Sequence, residues 1–398
     1  MDEIDVLLTR GVNTIYPTKE ELEKVLRSGK KLKLYQGFDP TGTELHIGHM
    51  MGLRKLAQWQ KLGHHVIFLI GTGTGLAGDP SGKLTAREKF FNEDELKQNA
   101  KDYVMQAKKL LSFEGENAVE ILYNGDWLNK LQLEDVLNIA GNLTVQQLIE
   151  RDMFQERIKN KADINMREFM YPLLQGYDSV AMDVDLELGG NDQTFNMLVG
   201  RKLQRAMNNR EKFVMTTPLL ADSKGSKIGK SEGNVISITD TPTNLFGKIM
   251  SLSDEVIVKG LEYLTDIPMD EVSSIEEKLK NGENPIDFKK KLAFEVVKQL
   301  NSQNDAQIAK EAFENTVQKR ETPQDIQEFS VSDSDKPLLD VLVESKSIES
   351  KSEAKRLVEQ GGLEVDGVRA TFETANMGIQ NGMIVKVGKH KYLKLVVK

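Results

Sequence analysis

Six consecutive residues, His65-Val66-Ile67-Phe68-Leu69-Ile70, limit the fold of this chain more than any other stretch. After His65 the run is wholly apolar, without the alternation that a strand with one wet face needs. It predicts a strand buried on both faces, as in a parallel sheet covered by helices on each side. Its neighbours agree. Lys33–Phe38 reads as a short strand, and residues 47–62 have helical periodicity that stops at Gly63. Asn92-Glu93-Asp94-Glu95 is a capping box opening a helix to about Leu111. Strand patterns follow at residues 119–123 and 184–188, the second leading into a helix through Met207. Pro172 is expected at the first turn of a helix that begins near Tyr171.

Strand–helix alternation over residues 30–220 predicts an α/β fold, a doubly wound, Rossmann-like parallel sheet. Residues 128–161 read as helix and polar linker, an insertion between its halves. Thr241-Pro242 is a suitable helix start. Helical patterns continue to about Val317, split by Pro268 and Pro285. Gln324 to Lys336 is polar and acidic. A compact α+β module ends in Tyr392-Leu393-Lys394-Leu395-Val396-Val397. The expected domains are 1–235, with the insertion near 125–165, a helical domain at 236–323, a linker at 324–336, and a C-terminal domain at 337–398.

Composition excludes several function classes. The chain has no Cys, which removes disulfides, thiolate metal sites and Cys nucleophiles. No apolar run approaches the ~20 residues of a membrane helix. The start, Met1-Asp2-Glu3-Ile4-Asp5, lacks the basic-then-apolar pattern of a signal peptide, so a cytoplasmic location is expected. The net charge of -8 argues against indiscriminate nucleic-acid binding. Residues 337–398 depart from that balance, with 10 Lys and Arg against 8 Asp and Glu.

The chemistry-bearing residues fall in clusters. His46 and His49 sit at i and i+3 on the first turn of a helix, whose free N–H groups and dipole favour an anion. Lys227-Ile228-Gly229-Lys230-Ser231 puts two lysines on a glycine-framed loop. Tyr171, Gln175 and Asp178 line one face of a helix, a phenol, an amide and a carboxylate within an apolar segment. Asp192 and Gln193 stand at a strand-to-helix turn, where open α/β sheets bind ligands. Local capping explains each histidine or Asp192 equally well in isolation. A zinc site from His46, His49, His64 and His65 lacks a completing carboxylate pattern. Gly73-Thr74-Gly75-Leu76-Ala77-Gly78 matches a dinucleotide-binding loop, but Pro80 and Gly82 oppose the helix that must follow. A P-loop fails as well, since Leu84 stands where Ser or Thr belongs.

Taken jointly, these motifs resemble the bacterial-type tyrosyl-tRNA synthetases over nearly the whole chain. His46-Ile47-Gly48-His49 matches the HIGH motif, and Lys227 to Ser231 matches the KMSKS loop except at Ile228-Gly229. Tyr35, Gly37, Asp39, Pro40 and Thr41 match YxGxDPT. Gly78 to Gly82 matches GDPSG, Tyr171, Gln175 and Asp178 match YxxxQxxD, and Gly189 to Gln193 matches GGxDQ. Ser350 to Gly362 resembles an S4-type RNA-binding domain, which gives the expected 337–398 module its character. Thr194-Phe195 departs from the Trp-Gly of one branch of the family and suggests the other.

The resemblance implies a tyrosine–tRNA ligase that forms tyrosyl-adenylate from L-tyrosine and ATP and passes the tyrosyl group to tRNA(Tyr). Tyr35 and Asp178 would bind the phenol hydroxyl, and Asp79, Tyr171 and Gln175 the ammonium group. Gln193 would lie at the carboxyl side. Gly37 and Asp192 would contact the ribose, and Asp39, Gly48 and Ser231 complete the implied ATP site. Thr41, His46, His49, Lys83, Arg87, Lys227 and Lys230 would serve the triphosphate. Mg²⁺ would accompany ATP, with no protein metal site. A homodimer through residues 125–165 is implied. The rivals are a tryptophanyl-tRNA synthetase, disfavoured by Tyr35 and Asp178, and a non-catalytic RNA-binding relative, disfavoured by the retained histidines and lysines.

Overall fold

The computed structural model describes residues 2–81, 83, 85, 90–220, 235–315, 326–348, 350–375, 377–388 and 391–397, without the side chains of Gln327 and Lys391. The chain forms two compact units, Met1–Gln307 and Ile308–Lys398. The first is built on a six-stranded sheet of β1 (Thr14–Tyr16), β2 (Lys33–Phe38), β3 (His65–Ile70), β4 (Glu120–Tyr123), β5 (Leu186–Gly190) and β6 (Phe213–Thr217). Its order is β1-β6-β5-β2-β3-β4. The five strands from β2 to β6 run parallel, and β1 closes one edge antiparallel to β6.

The apolar run that set the expectation is β3. Val66 to Ile70 are all at most 1% exposed, so both faces are covered, and the doubly wound prediction holds. The Tyr171 region departs from expectation. Its helix spans Met166–Met182 and begins at Asn165, whose side chain accepts from the Arg167 N–H. Pro172 is therefore inside the helix, not at its start. The earlier turn is held by Glu168, fully buried and paired with the equally buried Arg157 at 2.9 Å. The missing proline N–H costs one helical bond near the Glu168 carbonyl, and this buried pairing anchors the turn regardless.

Helices Pro242–Met250, Val256–Leu264, Met269–Lys280 and Ile286–Leu300 belong to the first unit. The guanidiniums of Arg10 and Arg54 join them to the sheet region. Arg10 donates to the carbonyls of Leu261, Glu262 and Thr265, and Arg54 to those of Tyr263 and Thr265. These are the orphan acceptors of a helix C-terminus, where cations are favoured.

In the second unit, residues 327–331 form a strand where a polar linker was expected. β7 (Gln327–Val331) runs parallel to β11 (Lys391–Val397) in a sheet with β8 (Leu363–Val365), β9 (Val368–Arg369) and β10 (Ile384–Val387). Its polar look comes from alternation: Phe329 and Val331 pack into the core while Glu328 pairs with Lys394 at 2.7 Å.

His64 yields a pH prediction. It precedes β3, is buried, and accepts the Leu32 N–H through Nδ1 at 3.0 Å. Burial, then the nearby Lys31, lowers its pKa from 6.5 to about 4. The unfolded chain binds this proton more readily, so the stability due to neutral His64 is complete above pH 6.5. It is lost as pH falls from 6.5 towards 4. His64→Gln keeps an acceptor without the titration, so its thermal midpoint should fall less steeply than that of the parent over that window. Parallel midpoint curves would show that His64 does not titrate against folding.

Candidate active site

Strand order reverses between β2 and β5, the switch point at which open α/β sheets gather ligand groups. The C-terminal end of β2 delivers Gly37 and Asp39. The end of β5 delivers Asp192 and Gln193 through the short 3-10 turn Asn191–Gln193. The helix Met166–Met182 supplies Tyr171, Gln175 and Asp178.

These side chains form a connected polar network. Tyr171 donates to Asp39 Oδ2 at 2.9 Å, and Thr74 donates to Asp39 Oδ1 at 2.6 Å. The Asn124 amide donates to Thr74 Oγ1 at 2.9 Å and to Asp178 Oδ2 at 3.0 Å. Trp127 Nε1 donates to Asp178 Oδ1 at 2.9 Å. Asp178 is only 2% exposed, and burial drives its pKa well above the usual carboxylate range. The Asn124 NH₂ and the Trp127 indole N–H oppose that shift, because hydrogen bonds donated to the carboxylate favour its ionised form. Burial likewise raises the hydroxyl pKa of Tyr35 and of Tyr171, so both are neutral donors at physiological pH.

A second cluster joins Asp79 and Gln193. Gln193 Nε2 donates to Asp79 Oδ2 at 2.9 Å, and the Ser81 N–H to Oδ1 at 2.9 Å. Asn196 Nδ2 holds Gln193 Oε1 at 2.8 Å, and Lys83 Nζ donates to the Asp79 carbonyl at 2.6 Å. Gln175 Nε2 donates to Glu187 at 3.1 Å, while Gln175 Oε1 is buried without a hydrogen-bond partner.

The histidines meet at the start of the helix Ile47–Lys61, with ring centroids 3.8 Å apart. His46 Nδ1 accepts the Gly48 N–H at 3.1 Å, and His49 Nδ1 accepts the His46 N–H at 3.1 Å. Both Nδ1 atoms act as acceptors, so each neutral ring carries its hydrogen on Nε2. The capping reading and the anion-binding reading are thus compatible. Thr41 follows β2, its N–H bonded to the Asp39 carbonyl at 2.7 Å.

Arg87, Lys227, Lys230 and Ser231 lie outside the described residues. The chain beyond them is placed, however. The Ile47 N–H bonds the Ile236 carbonyl at 2.9 Å, the Ile238 N–H bonds the Leu45 carbonyl at 3.0 Å, and Ser237 bridges His46. Residues 236–238 therefore sit against the histidine-bearing helix start.

Sequence reasoning missed Asn124, Trp127, Thr74 and Asn196, and also Arg151. The last is 9% exposed, donates to Ser81 at 3.1 Å, and lies with its guanidinium 4.9 Å from the Phe195 ring centroid. The available signal for Asn124 and Trp127 was position, just after β4 at the carboxyl edge of the sheet. The glycines of the dinucleotide-like run have a packing cause. A Cβ on Gly73 would meet Leu128 at 2.9 Å, and one on Gly75 would meet Leu96 at 2.8 Å. His64 and His65 are engaged apart from His46 and His49, His65 with Glu120 at 2.7 Å. Among the described residues no group of three His, Asp or Glu side chains is arranged to hold a metal, and no helix is long and apolar enough to cross a membrane.

Comparison with known proteins identifies the family. Residues 27–318 match the family of tRNA synthetases class I (W and Y). Residues 318–395 match the tyrosine–tRNA ligase SYY-like C-terminal domain. The chain is 41% identical to a tyrosine–tRNA ligase of Mannheimia succiniciproducens, over 100% of both chains. It is 40% identical to that of Haemophilus ducreyi, over 98% of this chain and 97% of the other. The fold resembles a C-terminally truncated mitochondrial tyrosyl-tRNA synthetase of Aspergillus nidulans, with a TM-score of 0.65 and 24% identity, over 78% of this chain and 92% of that one.

Proposed function

Since this chain belongs to the tyrosine–tRNA ligase family of class I tRNA synthetases, we propose that it activates L-tyrosine with ATP and transfers the tyrosyl group to the 3′ end of tRNA(Tyr). The observation that carries this reading is the buried Asp178, held by Asn124 and Trp127 beside Tyr35 at the switch point. A fixed acceptor and a neutral phenol there match an amino acid that ends in a hydroxyl.

In this reading Tyr35 and Asp178 bind the phenol. Gln175 Oε1, Asp79 and Tyr171 receive the ammonium group, and Gln193 lies at the carboxyl side. Gly37 and Asp192 face the ribose, with Asp39 bracing the site through Tyr171 and Thr74. The tyrosine carboxylate attacks the α-phosphorus of ATP and pyrophosphate leaves. The tRNA ribose hydroxyl then attacks the carbonyl carbon of the mixed anhydride, forming the ester as AMP leaves. No protein nucleophile is needed; positioning and charge stabilisation do the catalysis. The Nε2–H groups of His46 and His49, with Thr41, Lys83, Arg87, Lys227 and Lys230, stabilise the charge that develops on the phosphates. Residues 236–238, which follow these lysines in sequence, pair with residues 45–47 at the histidine-bearing helix start. ATP arrives as its Mg²⁺ complex, the ion travelling with the nucleotide.

The exposed Lys351, Lys355, Arg356 and Arg369 form the proposed tRNA surface of the C-terminal domain. β7 belongs to that domain, so a clean truncation ends near residue 318 rather than at Pro337. The truncated protein should keep tyrosine-dependent pyrophosphate exchange. Its tRNA charging at limiting tRNA and physiological salt should fall by at least about tenfold, because phosphate contacts supply salt-sensitive affinity. Equal charging by both proteins would remove the tail from the tRNA site.

A homodimer is also proposed. Leu133 and Leu137 lie one turn apart on the helix Leu133–Ala140 and are 74% and 61% exposed, with Val145 at 57%. Apolar side chains so placed suit burial against a second copy. Sedimentation should give a dimer for the parent and a monomer for Leu133→Glu/Leu137→Glu. A monomeric parent at micromolar concentration would contradict it.

A further inference from the structure

Beneath the tyrosine end of the site lies a buried charged pair that the reaction does not use directly. Lys212, just before β6, is 1% exposed and forms an ion pair with Glu187 of β5, 2% exposed. Lys212 Nζ also donates to Ser179 Oγ at 2.7 Å. Ser179 Oγ lies 3.0 Å from the Tyr35 hydroxyl and 3.4 Å from Glu187 Oε2. The other Glu187 oxygen accepts from the Gln175 amide. Gly200, on the helix Thr194–Asn208, leaves room for this cluster. A Cβ there would stand 2.6 Å from Lys212 Nζ and 2.7 Å from Ser179 Oγ.

We propose that the Glu187–Lys212 pair, without touching substrate, fixes the hydrogen-bond polarity of both ends of the tyrosine site. An ammonium can only donate. Having received a hydrogen from Lys212, Ser179 must direct its own elsewhere. The Tyr35 oxygen at 3.0 Å is nearer than Glu187 Oε2, which Lys212 already holds. Tyr35 thus accepts from Ser179, and its own hydrogen, for which Glu187 is an alternative acceptor, turns to the ligand's phenol oxygen. The phenol hydrogen is left for Asp178, whose two oxygens already accept from Asn124 and Trp127. The chain of donation runs Lys212, Ser179, Tyr35, substrate, Asp178.

At the other end, Glu187 can only accept, so the amide it faces on Gln175 is the NH₂. The flip is thereby set, and Gln175 Oε1 is left a buried acceptor without a partner. An ammonium group is the complementary ligand. Burial lowers the Lys212 pKa, and the ion pair with Glu187 opposes that shift. Severing it would leave one uncompensated buried charge.

This inference rests on the tyrosine reading above. Two variants test it in pyrophosphate exchange, Ser179→Ala, which removes the relay hydroxyl and keeps the ion pair, and the charge-removing Glu187→Gln/Lys212→Met. Each is measured with tyrosine and with phenylalanine. Ser179→Ala should lower the tyrosine-over-phenylalanine ratio of kcat/KM roughly two- to tenfold, the worth of one neutral hydrogen bond. The double variant should lower it about tenfold or more and raise the tyrosine KM. The KM for ATP should stay within about twofold in both. An unchanged ratio in Ser179→Ala, or equal losses for tyrosine, phenylalanine and ATP in the double variant, would reduce the cluster to a structural role and overturn the proposal. A parent protein that fails to exchange with tyrosine would instead overturn the reading on which it stands.

Discussion

Asp178→Ala should cost this protein most of its preference for tyrosine over phenylalanine. The carboxylate is buried, and Asn124 at 3.0 Å and Trp127 at 2.9 Å hold its two oxygens. Those two bonds fix its position. A site built around a substrate hydroxyl rejects the analogue lacking it by about 10⁴–10⁵, a range that comes from this enzyme family itself. Without Asp178, tyrosine keeps only the Tyr35 contact, while phenylalanine, which makes no hydroxyl contact, loses little. Tyrosine kcat/KM should therefore fall by several orders of magnitude towards the phenylalanine value, with the KM for ATP little changed. The ratio of the two kcat/KM values in pyrophosphate exchange is the check. A ratio equal to that of the parent would remove Asp178 from the phenol site.

Lys227→Ala and Lys230→Ala should each slow adenylate formation by about 10²–10³, the usual effect of one preorganised electrostatic contact. The loop carries two cations three residues apart, and residues 236–238 beyond it are bonded to the backbone at 45–47, beside His46. Charge that builds on the leaving pyrophosphate calls for such groups in the transition state more than in the ground state. The variants should thus lower kcat and kcat/KM together and leave the KM for tyrosine near that of the parent. Single-turnover adenylate formation separates this from a binding defect. A pure rise in the tyrosine KM would show that the loop does not act on the phosphates.

The sheet was legible because burial on both faces writes an unbroken apolar run, as in Val66–Ile70. The two histidines were legible because a helix start is a local feature. The inner polar network was not. Glu187 sits in an alternating Asp-Leu-Glu-Leu stretch that reads as a strand with one wet face, yet β5 is a central strand and that face meets the helix Met166–Met182. Lys212 follows Arg210 and Glu211 and looks like one more solvated charge. Only the crossing of β5, β6 and that helix brings it to Glu187 and Ser179. Asn124 and Trp127 were hidden for the same reason, since their partner lies more than fifty residues away. Pro172 misled through a local rule that buried pairing of Glu168 with Arg157 overrides.

Activation of tyrosine at this site is read out by exchange of labelled pyrophosphate into ATP, run with each of the twenty amino acids in turn. Exchange is expected with tyrosine, with phenylalanine lower by orders of magnitude and tryptophan at background. Exchange driven by tryptophan or by another amino acid, or none with tyrosine under conditions where the protein is folded, would contradict it.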